Sequence, residues 1–109
     1  MDTTIGNLRL TVASLSQAVQ SPDLGVRLQA IGSLGCMGRK SKQAVPSLIG
    51  ALKDQSSSVR KLAALALGEI GSKAATVGLQ EALQDQDASV SRSAALALMN
   101  IGADAAVAF

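Results

Sequence analysis

Displaced by 31 positions, the sequence matches itself at polar as well as apolar sites, which limits the chain to folds built by stacking one unit. Leu48 meets Leu79, Leu52 meets Leu83, Asp54-Gln55 meets Asp85-Gln86 and Ser58-Val59 meets Ser89-Val90. The block Ala63-Ala64-Leu65-Ala66-Leu67 then falls on Ala94-Ala95-Leu96-Ala97-Leu98, and Ile70-Gly71 on Ile101-Gly102. A displacement of 33 brings in an earlier copy: Leu15, Val19, Val26-Arg27, Ala30, Leu34-Gly35 and Gly38 fall on Leu48, Leu52, Val59-Arg60, Ala63, Leu67-Gly68 and Gly71. The two extra residues lie in Gly38-Arg39-Lys40-Ser41-Lys42, where a turn tolerates insertion. Three units of about 31–33 residues, none able to bury its apolar face alone, predict a solenoid.

Each unit reads as two helices. In the second unit Val45, Leu48, Ile49 and Leu52 make an apolar stripe at helical spacing, with Pro46 near the start, where a missing N–H costs nothing. Asp54-Gln55-Ser56-Ser57 breaks that helix and supplies capping side chains for the next. The second helix is expected over Ser57–Ile70, with Gly71 in the left-handed position that ends it and Val59, Ala63, Ala66, Leu67 and Ile70 on its core face. Gly38 and Gly102 are expected to end the other two second helices. No alternating β-branched run is present, so no sheet is expected.

Composition narrows the chemistry. The 109 residues hold no histidine and one cysteine, Cys36, which removes the commonest general base and metal ligand and any internal disulfide. No catalytic residue, metal site or cofactor is therefore assigned, and the chain is read as a non-enzyme. Hydrophobic residues make up 48%, yet Phe109 is the sole aromatic, so the core must be built from many small aliphatic contacts. The net charge of +2 carries little weight for nucleic-acid binding. No apolar run approaches the ~20 residues of a membrane span, and the start Met1-Asp2-Thr3-Thr4 has no signal-peptide character. With one unpaired cysteine these features suggest a soluble, cytoplasmic protein.

The segment Pro46 to Leu52, with Asp54, Val59-Arg60, Ala63 to Gly68 and Ile70-Gly71, resembles HEAT repeats, in particular the short bacterial type called HEAT-like or phycobilisome-lyase-type. The resemblance covers about 8–102. It implies an all-α, right-handed α-α superhelix of about three repeats in a single domain over 1–109, near 5–38, 41–71 and 73–102, with a partial repeat at 103–109. It also implies that the Asp after a first helix pairs with the Arg opening the second, as Asp54 and Arg60 would. Ser21 stands in the Asp position of the first repeat and Ser91 in the Arg position of the third, so the ladder is expected to be incomplete.

In such solenoids the second helices line the concave surface. Turning each second helix at 100° per residue leaves Leu28 and Ile31, Lys61 and Leu65, and Arg92, Leu96 and Met99 opposite the core, as an apolar groove for another protein. Small residues on that face (Gly32, Gly35, Ala64, Gly68, Ala95) would let a partner's backbone approach. The function expected is a protein-interaction module or scaffold; the alternatives are an accessory subunit of a lyase-type enzyme and a weak nucleic-acid binder. The last would use Arg39, Lys40 and Lys42 as an anion site beside a helix N-terminus, although charged turns are more often merely solvated. Cys36, despite the family's thiol chemistry with bilins, reads as a small packing residue. After Gly102 the apolar stretch 103–109 resembles the opening of another first helix, so Val107 and Phe109 are expected to pack on a second copy in a homodimer.

Overall fold

The computed structural model describes residues 4–107, with side chains described over 11–102. Six α-helices succeed one another: α1 (Thr4–Ala18), α2 (Leu24–Met37), α3 (Val45–Ala51), α4 (Ser57–Ile70), α5 (Thr76–Ala82) and α6 (Ala88–Val107). Among the described residues there is no strand, and the fold is an all-helical stack of HEAT type. Short 3-10 segments at Gly38–Ala44 and Lys73–Ala75 lead into α3 and α5. The two-residue insertion lengthens the first of these. It is absorbed at Ser41, which leaves helical geometry and turns its hydroxyl inward to donate to Leu34 O at 2.8 Å.

The sequence rules for helix ends hold at the start of α2 and the end of α4, whereas Ser56, the N-cap of α4, makes no side-chain capping bond. Asp23 caps α2 by accepting from Val26 N, and Gly71 ends α4 at φ 75°, ψ 21°, its N–H reaching Leu67 O. Gly38 also takes a positive φ, 56°, but with ψ −130°. Gly102 departs from the pattern, because α6 runs through it to Val107 and no seventh helix begins at 103–107. The cause lies in the residues just after each glycine. Ser72, after Gly71, turns its hydroxyl to accept from Ala74 N and starts a new segment. After Gly102 comes Ala103-Asp104-Ala105-Ala106, mostly strong helix formers with no competing cap.

The core lies where each hairpin meets the next. Val59, Ala63, Ala66, Leu67 and Ile70 are all buried, as are Leu34, Leu48, Leu79, Val90 and Ala94 from the other units. Whereas α3 and α5, seven residues each, meet only through side chains, Leu52 Cδ1 and Ile49 Cγ2 lying 3.2 and 3.4 Å from where a Cβ on Gly78 would stand, the second helices α2, α4 and α6 pack tightly side by side. Small residues make that closeness feasible. A Cβ at Gly35 would come 3.3 Å from Ala66 Cβ, and one at Gly68 would come 2.9 Å from Ala97 Cα.

Gly68→Ala should therefore destabilise by about 1–3 kcal/mol through overpacking against the α6 backbone, despite a helix-propensity gain of about 1 kcal/mol. Gly32→Ala, whose Cβ meets nothing within 4 Å, should instead stabilise by about 0.5–1 kcal/mol. Urea unfolding followed by circular dichroism distinguishes the two signs.

Candidate functional site

Two layers of this fold carry polar or exposed side chains in a repeating arrangement: the turns that enter the second helices, and the outer stripe of those helices.

In the turns, each arginine joins two repeats. Arg60 Nη1 donates to Asp54 O at 2.8 Å and Gln55 O at 3.2 Å, holding its own turn. Its Nε and Nη2 reach Asp85 of the next repeat at 2.8 and 3.1 Å, a bidentate pair. Arg27 does the same one repeat earlier, donating to Ser21 O at 3.0 Å and Pro22 O at 3.2 Å and pairing with Asp54. That first rung is looser: Nη2 reaches Asp54 Oδ1 at 3.3 Å, and Nε lies 3.0 Å from Oδ2 without hydrogen-bond alignment. Each aspartate also caps its own turn, Asp54 accepting from Ser56 N and Asp85 from Asp87 N, both at 2.9 Å.

The structure corrects the expected pairing in two respects. The carboxylate partner of Arg60 is Asp85 rather than Asp54, because Asp54 faces back to Arg27. The ladder is unbroken between the three repeats, because each rung needs only the Arg of one repeat and the Asp of the next. Ser21 takes over the local task, its hydroxyl accepting from Asp23 N at 3.1 Å. Electrostatically the stronger rung is self-consistent: its hydrogen bond raises the Arg60 pKa and lowers that of Asp85, outweighing the opposing effect of burial. Asp87, the cap of α6, is held low by hydrogen bonds from Ser89.

Of the residues expected to face a partner, Lys61 and Arg92 are exposed, as are Leu65 (37%), Leu96 (50%) and Met99 (68%). Leu28 is half-buried at the margin. Ile31 is wholly buried and is not part of the open face, and neither are Ala64 and Gly68. A simple division of each helix into core and open halves misplaces them. A second helix packs on its own first helix and also on each second helix beside it, α4 having α2 and α6 on its two flanks, so only a narrow stripe stays open. On α4 that stripe is Lys61, Leu65 and Glu69; on α6 it is Arg92, Leu96 and Asn100 with Met99 beside them. Glu69 and Asn100 were missed, although their spacing of i+4 from each leucine makes them visible in the sequence.

Beside the stripe, between α2 and α4, lies a hollow of about 350 Å³ lined by Gly32, Gly35, Cys36, Leu62, Leu65 and Glu69. Cys36 stands exposed at its rim instead of packing inside. Elsewhere a cleft of about 490 Å³ lies between α3 and α5, lined among others by Leu52, Val77 and Gly78. Arg39, Lys40 and Lys42 are exposed on the first 3-10 segment, while Ser41 between them points inward. The segment kinks at Ser41 and then runs on through Lys42–Ala44 into the seven-residue α3, so the three cations flank that kink. Val107 lies on α6 with its side chain outside the described residues, and Phe109 lies outside them altogether. Among the described residues no helix is long and apolar enough to cross a membrane.

A family model described as HEAT repeats matches residues 12–100, and the chain belongs to that family. No curated protein matches it.

The Arg60–Asp85 rung makes stability depend on pH. The Asp85 carboxyl titrates lower when folded than when unfolded, so the rung contributes fully above the unfolded value. That contribution is lost as pH falls through the folded one. Asp85→Asn should lower stability at pH 7 and flatten the decline on acidification below the ordinary carboxylate range, measured by urea midpoints from pH 7 to about 2.5.

Proposed function

We propose that this HEAT-repeat chain is a protein-binding module or scaffold that receives its partner on the open stripes of α4 and α6. HEAT repeats generally mediate protein–protein interaction. The observation that carries the reading here is that Leu65, Leu96 and Met99 are all exposed on the second-helix side of the stack, with Lys61 and Arg92 at one edge. Contiguous exposed apolar surface with a polar rim marks a contact site. Leu28 extends that surface toward α2. No residue is assigned a catalytic role, and Cys36 suits a reducing compartment such as the cytoplasm.

The helices supporting this face are rigid for a physical reason. The Gly–Ala seams and the two Arg–Asp rungs fix neighbouring repeats in one spacing, so binding costs the three apolar side chains their own rotamer freedom but no backbone ordering. Affinity capture from extracts of the source cell tests the reading. Proteins retained by the wild-type chain should be lost with the Leu65→Asp, Leu96→Asp double variant, whose helical circular dichroism should be unchanged because both sites are exposed. Equal retention by both would contradict the assignment of this face.

A further inference from the structure

We infer that the open face of α4 and α6 pairs with the same face of a second copy of this chain, about a two-fold axis running across the helices through Leu65 and Leu96. This rests on reading the face as a protein-binding surface and names its occupant. Each stripe carries a cation, a leucine and an oxygen-bearing acceptor at positions i, i+4 and i+8: Lys61, Leu65 and Glu69 on α4, Arg92, Leu96 and Asn100 on α6. All six are exposed, and none of the four polar side chains has an ion-pair or hydrogen-bond partner among the described residues.

This pattern is its own complement when reversed. Leu65 and Leu96 are repeat equivalents, 96 − 65 = 31, so they stand at one level across the two helices. A half-turn about an axis crossing the helices there lays each helix antiparallel on its counterpart and brings position i−4 onto i+4. Lys61 then meets Glu69 of the second copy, and Arg92 meets the amide oxygen of Asn100. Both contacts occur twice by symmetry, as an isologous interface requires. The leucines meet across the axis, and Met99 adds apolar surface beside them. A face bearing one sign of charge would repel its own copy; this one attracts it. The first repeat has Leu28, Gly32 and Cys36 at the corresponding positions and lacks the pattern, so the pairing belongs to the second and third repeats. Because the polar arms are exposed, they set orientation more than affinity, and the dimer is concentration-dependent.

Sedimentation equilibrium with interference optics, from about 10 µM to about 1 mM, tests this directly in a chain without Trp or Tyr. The wild type should show a reversible monomer–dimer equilibrium. Lys61→Glu and Glu69→Lys should each sediment as monomers where the wild type is half dimeric, with helical circular dichroism retained. An equimolar mixture of the two variants should dimerise again, because every mixed contact restores a cation against a carboxylate. A wild type that stays monomeric throughout, or a dimer that Lys61→Glu leaves unchanged, overturns the inference. Either result leaves the broader partner-binding reading to be decided by the capture experiment, so the two failures are distinguishable.

Discussion

One guanidinium serves two repeats at once, and the stack depends on that sharing. Arg60 satisfies two carbonyls of its own turn and the carboxylate of the next, so neither turn can shift without breaking a charge-assisted bond. The pair is largely withdrawn from water, its side chains 18% and 10% exposed, which makes an orphaned partner costly. Asp85 in turn caps Asp87 N, so the link extends into the start of α6. Local capping and inter-repeat registration are one network.

What the rungs hold in register, the seams bring into contact. Gly35 against Ala66 and Gly68 against Ala97 let second helices approach more closely than larger side chains would permit. The short α3 and α5 cannot match that closeness on the other side. The second-helix side is thereby the more closely packed one, and Leu65, Leu96 and Met99 stand exposed on it. At the position of Gly35 and Gly68 the third repeat carries Met99, the most exposed large apolar residue described.

The all-helical pattern, the extent of α4 and the left-handed Gly71 were legible because each rests on a local rule, periodicity or a positive φ. The partner of Arg60 was not. Asp54 lies nearer in sequence, and only the stacking geometry shows that Asp54 already faces Arg27. Burial of Ile31 was missed for a related reason, since a helical wheel shows one core direction and a solenoid helix has three neighbours. Continuation of α6 through Gly102 was missed because the glycine was read by analogy with Gly71. The next four residues, Ala103-Asp104-Ala105-Ala106, contain no new cap to stop the helix.

The central claim is that the arginine–aspartate link energetically couples adjacent repeats. A double-mutant cycle with Arg60→Ala and Asp85→Asn, measured by equilibrium urea unfolding at pH 7, reads that coupling directly. The account predicts a coupling energy of about 1–3 kcal/mol, falling toward zero when the cycle is repeated below the pH at which Asp85 takes up its proton. Additivity of the two substitutions within about 0.5 kcal/mol at pH 7 would contradict it.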